Sequence, residues 1–182
     1  MNVIPCEIPG LLIIEPKVFS DGRGYLMESW NQKRYKEAGL NFDFVQDNVS
    51  FSRRGILRGL HFQNPGAQGK LVNVFQGEVF DVAVDLRKCS PTFGRWHGLT
   101  LSAENKRQFF IPPGFAHGFA VMSETALFAY KCTAYYSGQS ELTLAWNDPE
   151  IGIQWPVKSP QLSEKDAHGL RLRELQPDRL FP

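Results

Sequence analysis

One short stretch, Gly55–Lys70 (GILRGLHFQNPGAQGK), places a histidine, an arginine and a lysine in a single strand and the turn that follows it. Ile56–Gln63 is short and apolar-rich, and Asn64-Pro65-Gly66 closes it with a strong turn signal. His61 falls near the end of that strand and Lys70 opens the next, KLVNVFQG. A neutral imidazole titrates near physiological pH, so it can take a proton from carbon. A nearby ammonium can hold the negative charge that then develops. Together they suit proton abstraction beside a carbonyl. The same spacing also fits a hydrogen-bonded strand-end histidine and a solvated lysine, and spacing by itself leaves both open.

The elements that must position these residues are mostly strands. Leu11–Phe19 reads as a first strand interrupted by Pro16, and Ser20–Gly24 turns the chain into Tyr25–Trp30. Asn31–Gly39 is the one good helix before the C-terminal region, with Asn31 as cap and Gly39 as stop. Phe44–Ser50 alternates: Gln46, Asn48 and Ser50 share one face, and Val45, Asp47 and Val49 the other. Lys70 shares a face with Val72 and Val74, which turns it toward an apolar interior. Glu78–Leu86 alternates throughout, with Val79, Asp81, Ala83 and Asp85 on one side. Further strands are expected at Gly94–Ser102, Gln108–Pro112, His117–Ser123, Thr125–Tyr136 and Glu141–Trp146. Short strands at this spacing predict an all-β sandwich or barrel, with a jelly roll the best fit. Beyond Gly152 the chain is richer in proline and charge, and Ser163-Glu164-Lys165-Asp166 reads as a capped helix start.

Length and composition set the frame. At 182 residues the chain fits one domain with a sizeable core, and 42% hydrophobic content argues against disorder. A net charge of +1 gives no basis for a nucleic-acid partner, so any anionic ligand must be met by a local cluster of cations. The three cysteines, Cys6, Cys89 and Cys132, are scattered and without CxxC spacing, which predicts reduced thiols in a cytoplasm. No secretory signal and no membrane-length apolar run is expected. The four histidines, His61, His97, His117 and His168, show no paired metal-ligand spacing, and there is no GxGxxG, P-loop or GxSxG motif.

Taken together, the segments FSDGRGYLMESW, FVQDN, ILRGLHFQ, QGKLVNV, PGFAHGF, YKCTAYY and LSEKDA resemble the dTDP-4-dehydrorhamnose 3,5-epimerases over nearly the whole chain. LRGLH, a following lysine, then PGFAHGF and YKCT, in that order, carry the resemblance most specifically. It implies a cupin-type jelly roll that works without metal or cofactor on a dTDP-4-ketosugar. The ketone at sugar carbon 4 acidifies the hydrogens on carbons 3 and 5. A base removes each proton from one face and an acid returns one from the other.

Residue by residue, the resemblance makes His61 the base and Tyr130 the acid. Lys70 would stabilise the enolate oxygen, and Asp166 would support His61. It implies nucleotide-sugar contacts for Arg23, Glu28, Gln46, Asp47, Asn48, Arg58, His117, Glu141 and Lys165. Arginine forks suit the oxygens of a pyrophosphate. Asp47 fits least, since alternation turns it away from Gln46 and Asn48. The resemblance also implies a homodimer with exchanged N-terminal strands, so that Arg23 or Glu28 would serve the partner's site.

One expectation conflicts with strand geometry. Strict alternation puts Arg58 and His61 on opposite faces, whereas the resemblance wants both at one ligand. Gly59 between them is where a bulge or kink would re-aim one of the two. Two other readings remain open on the residues alone: an epimerase inverting a single carbon, and a sugar-binding jelly roll without catalysis.

Overall fold

Alternating apolar runs bury one face of each strand, and in the computed structural model, which describes residues 1–182, they stack as two sheets. The larger sheet runs in the order β1 (Asn2–Pro5), β2 (Leu12–Glu15), β10 (Gln108–Ile111), β7 (Lys70–Gln76), β12 (Thr125–Cys132) and β5 (Gln46–Arg53). The second runs β13 (Glu141–Thr143), β6 (Leu57–Gln63), β11 (Phe115–Val121), β8 (Glu78–Asp85) and β9 (Trp96–Ser102). Every neighbouring pair is antiparallel. The architecture is a jelly-roll β-sandwich. A hairpin of β3 (Val18–Asp21) and β4 (Gly24–Met27) belongs to neither large sheet.

The principal core fills the space between the sheets. Val72, Val74, Phe109 and Phe128 come from the larger sheet, and Val79, Ala83, Phe115 and Phe119 from the smaller one. Phe119 and Phe128 stack across the gap with ring centroids 3.9 Å apart, tying the two layers together at one spot. Full burial of a side chain this size contributes about 1.5–3 kcal/mol. A second core lies behind the smaller sheet, where Leu60, Phe62 and Val84 meet Leu175 and Phe181 of the C-terminal segment.

The helix expected at Asn31–Gly39 is α1 (Gln32–Glu37), capped by Asn31 Oδ1 accepting from the Arg34 amide at 3.2 Å. Gly39 ends it at φ +93°, and Tyr35 is its buried contact. Pro16 divides the expected first strand into β2 and β3. The strand expected to reach Tyr136 stops at Cys132. Beyond it, the main chain bonds to glutamine side chains instead of a strand. Gln68 donates to Ala134 O, Gln63 donates to Tyr135 O and accepts from Ser137 N, and Gln46 accepts from Tyr136 N. That loop stays ordered without a ladder because its polar groups are satisfied.

Two irregularities decide where the site forms. On β11, His117 and Phe119 are two residues apart, yet their partners on β6, His61 and Arg58, are three apart. β6 therefore carries one extra residue, a bulge centred on Gly59. Gly59 has φ +116°, and a Cβ there would lie 2.6 Å from Gly118 Cα and 2.7 Å from His117 O. Only glycine allows the two backbones this approach. The second irregularity is the segment around α2 (Glu164–Ala167), which packs against β6. Bridges from Gln161 to Ile56 and from Leu170 to Leu144 pin its two ends.

Candidate active site

The gap between the sheets opens into a pocket whose two walls carry different chemistry. Gln46, Asn48, Lys70 and Tyr130 project from the larger sheet, and Arg58, His61, His117 and Glu141 from the smaller. The Phe119–Phe128 stack closes its inner end.

His61 and Arg58 both open onto this pocket because of the bulge at Gly59. The conflict posed by strict alternation is thereby resolved. His61 Nε2 donates to Asp166 Oδ1 at 2.5 Å, and the Asp166 side chain is only 4% exposed. A carboxylate can only accept, so Nε2 carries the hydrogen and the Nδ1 lone pair is left free to take a proton. Ser163 Oγ caps α2 by accepting from the Asp166 amide at 3.1 Å, which fixes the carboxylate's backbone. Burial pushes the Asp166 carboxyl up, but the hydrogen bond and charge of His61, with Ser163 and the Gly59 amide, outweigh it and hold the group below the usual carboxylate range. The Ser163–Asp166 stretch thus serves as both helix cap and histidine partner.

Lys70 stands at the start of β7, directly opposite Cys132 in the ladder, and is 8% exposed. Burial holds its ammonium below the ordinary lysine range, partly offset by Cys132, Glu141 and Asp81. Those two carboxylates are engaged elsewhere: Glu141 bonds Lys165 and Asp81 bonds His117. The lysine is therefore a buried cation without a committed partner, aimed into the pocket, and an oxyanion would meet it unshielded. Tyr130 follows two residues along β12 from Phe128, as alternation requires. Burial, with the Cys132 and Glu141 charges, pushes its phenol above the ordinary tyrosine range against the pull of Asn48 and Arg58. Near neutral pH the hydroxyl keeps its proton and is an acid in waiting.

Around these lie groups suited to holding a polar ligand. Arg58 Nε donates to Ser52 Oγ at 3.0 Å, which aims the guanidinium fork across the gap from β6 toward β5. Gln46 donates to Asn48 Oδ1 at 3.1 Å, the two amides sharing a face as alternation predicts. At the rim Glu141 Oε2 accepts from Lys165 Nζ at 2.7 Å and from Tyr136 Oη at 3.0 Å. Lys165 therefore reaches the pocket only through Glu141.

Asp166 and Lys165 join this pocket only through His61 and Glu141, and three further residues implied by resemblance neither line it nor bond by side chain to a residue that does. Asp47 points away from it and pairs with Lys131 at 2.8 Å. Arg23 lies in the β3–β4 hairpin, its side chain 90% exposed and paired with Asp21. Glu28 follows that hairpin and pairs with Arg34. Conversely, sequence reasoning passed over Asp81, Ser52, Gln68 and Tyr136. Asp81 did leave a signal, a carboxylate in an otherwise apolar alternation. No three His, Cys, Asp or Glu side chains converge in a metal-holding cluster.

Comparison with known proteins identifies a family. The family model for dTDP-4-dehydrorhamnose 3,5-epimerase matches residues 5–174. The epimerase of that name from Shigella flexneri is 60% identical over 171 residues, covering 93% of this chain and 94% of its own length. Its counterpart from Salmonella typhimurium is 59% identical over 170 residues, with 92% and 93% covered. The solved structure of the dTDP-6-deoxy-D-glucose-3,5-epimerase of Legionella pneumophila, in complex with dTDP-4-keto-L-rhamnose, superposes with a TM-score of 0.97 at 54% identity, covering 99% of this chain and 97% of that one. A sequence match and a fold match that both run along nearly the full length make this chain a member of the dTDP-4-dehydrorhamnose 3,5-epimerase family.

Proposed function

We propose that the pocket between the sheets is where this chain epimerises carbons 3 and 5 of dTDP-4-dehydro-6-deoxy-D-glucose, giving dTDP-4-dehydro-L-rhamnose for dTDP-L-rhamnose biosynthesis. The observation that carries the mechanism is the division of labour between the walls. His61, backed by Asp166, stands on one sheet, and Tyr130 stands on the other. A sugar ring lying between them presents one face to a base and the opposite face to an acid, which is what inversion at a carbon requires.

The steps then follow. The neutral His61 Nδ1 takes the proton from carbon 3 or carbon 5, and the electron pair moves into the carbon 4 carbonyl to form an enolate. Lys70 meets the negative oxygen. Tyr130 delivers its phenolic proton to the carbon from the far side, and solvent restores both groups. Each positioned proton transfer is worth about 10²–10⁴-fold, and an oxyanion donor about 10²–10³-fold. Asp166 acts through His61, fixing its tautomer and stabilising the imidazolium that forms. No step draws on a metal or a cofactor.

Arg58 and His117 take the pyrophosphate, and Gln46, Asn48 and Glu141 the remaining polar edges. Lys165 holds Glu141 in place, and Asp47 contributes through its backbone. Arg23 and Glu28 enter by way of a homodimer. The β3–β4 hairpin exposes Phe19 (50%), Tyr25 (50%) and Leu26 (72%), an apolar surface that a second copy would bury, carrying both residues to that copy's site. All 182 residues act as one domain. Its three free cysteines suit a reducing cytoplasm, and no helix is long and apolar enough to cross a membrane.

Product NMR after incubation with the ketosugar in heavy water tests the reading. Inverted product with solvent deuterium at both carbons is expected. Deuterium at one carbon alone would restrict the activity to a single centre, and no exchange at either would leave a binding protein.

A further inference from the structure

His117 lies directly across the β6–β11 ladder from His61, and like His61 it has a carboxylate of its own. Its Nε2 lies 2.9 and 3.0 Å from the two oxygens of Asp81, whose side chain is wholly buried. Asp81 has no other hydrogen-bond partner, and the proton-transfer steps give it no task. Burial pushes its carboxyl up, while His117 and Lys70 draw it back. An isolated buried carboxylate is costly, so its retention in an apolar strand calls for a reason. His117 itself is 6% exposed and lines the pocket with Arg58, and its other ring nitrogen, Nδ1, is not bonded within the protein.

We propose that Asp81 is a positioning residue for nucleotide binding: it grips His117 by Nε2 and steadies it as an imidazolium whose Nδ1–H meets an anionic oxygen of the diphosphate. The inference rests on the nucleotide-sugar reading above. The carboxylate accepts from Nε2, which fixes the ring plane, because a bond to both oxygens leaves little freedom at χ2. A ring set between a buried carboxylate on one side and a phosphate oxygen on the other has reason to hold both protons. The Phe128 ring lies nearly parallel to it, with centroids 6.1 Å apart, and limits any swing away from the pocket. The alternative duty for Asp81, neutralising Lys70, predicts a different outcome.

The test is calorimetric titration of dTDP into the intact protein and into Asp81→Asn, with steady-state kinetics on both. The amide keeps the shape but cannot stabilise an imidazolium. dTDP binding should weaken roughly ten- to hundredfold, the range of a lost charged hydrogen bond. KM should rise in step, with kcat within about threefold of the parent. A fall in kcat with unchanged dTDP affinity would assign Asp81 to Lys70 and overturn the proposal. Histidine-¹⁵N NMR of the unsubstituted protein with dTDP gives a reading that does not depend on the variant folding. His117 should show both ring nitrogens protonated, and a neutral ring in the complex would overturn the proposal as well. The calorimetric titration and the NMR measurement use dTDP binding alone, so those two stand apart from whether the ketosugar is epimerised.

Discussion

Arg58 and His61 sit three residues apart on one strand and still open onto the same pocket, because β6 gives three residues where β11 gives two. Arg58 and His61, the proposed pyrophosphate contact and the proposed base, thus owe their common orientation to the backbone between them. Gly59 there has left-handed φ and less than van der Waals room for a Cβ.

Gly59→Ala should accordingly remove activity even though the added methyl touches no substrate. The alanine would have to move the β11 backbone at His117 and Gly118, or abandon the bulge. A loss of at least about 1–3 kcal/mol, the scale for a side chain forced into such a conformation, is expected in urea unfolding. A variant with parental stability and kcat/KM would show that the bulge does not set the site.

Lys70→Met should separate stability from catalysis. Burial disfavours the charged lysine, so the folded state binds fewer protons there than the unfolded chain. Stability should therefore rise with pH from the lowered folded value up to the ordinary lysine range near 10.4. Methionine relieves that penalty with little change of volume. The melting temperature should go up, by about 2–4 °C for each kcal/mol gained, while kcat falls by about 10²–10³-fold. A lower melting temperature would mean that Lys70 is held by contacts stronger than its burial costs.

Tyr130→Phe should uncouple proton removal from proton return. His61 can still form the enolate and can reprotonate it from its own side, which restores the starting configuration but carries in solvent deuterium. Inverted product should drop by about 10²–10⁴-fold while wash-in beside the ketone persists. NMR of both substrate and product in heavy water measures the two together. If exchange and inversion vanish in parallel, Tyr130 orients the substrate and is not the acid.

Asp166→Asn should change the acid side of the stability curve. The folded carboxyl titrates below its unfolded value, so its contribution is complete above about pH 4 and is lost as pH falls through the folded value. In the variant the slope of unfolding free energy in that acid range should flatten, and turnover should fall because His61 loses its fixed tautomer. Urea melts at several pH values between about 3 and 6 check the first part. An unchanged slope would mean that the pair does not persist in solution.

Much of the site was legible in the sequence because alternation is a local property. Gln46 and Asn48 share a face, Lys70 turns inward with Val72, and Tyr130 aligns with Phe128, as the period of a strand requires. The cap at Ser163 was equally plain, and the helix it starts brings Asp166 to His61. What alternation could not convey was the facing of Arg58 and His61, since a bulge is defined by two strands and only one of them is local. The Asp81–His117 pair was hidden for the same reason: its halves lie on neighbouring strands distant in sequence. The early end of β12 depends on glutamines from three separate segments, Gln46, Gln63 and Gln68, which no window around Cys132 contains.

The carboxylate that accepts from His61 arrives after the last strand, on a segment pinned at Gln161 and Leu170. Every strand, the bulge, Lys70 and Tyr130 lie upstream of Thr143. On the ribosome, the sandwich has all its strands before the residue that sets the histidine's tautomer emerges. A chain broken off between Thr143 and Ser163 would retain the sequence for both sheets, yet lack the Asp166 partner of His61 and the Leu175 and Phe181 side chains of the second core. Full support of His61 therefore waits on synthesis of the segment that follows the last strand.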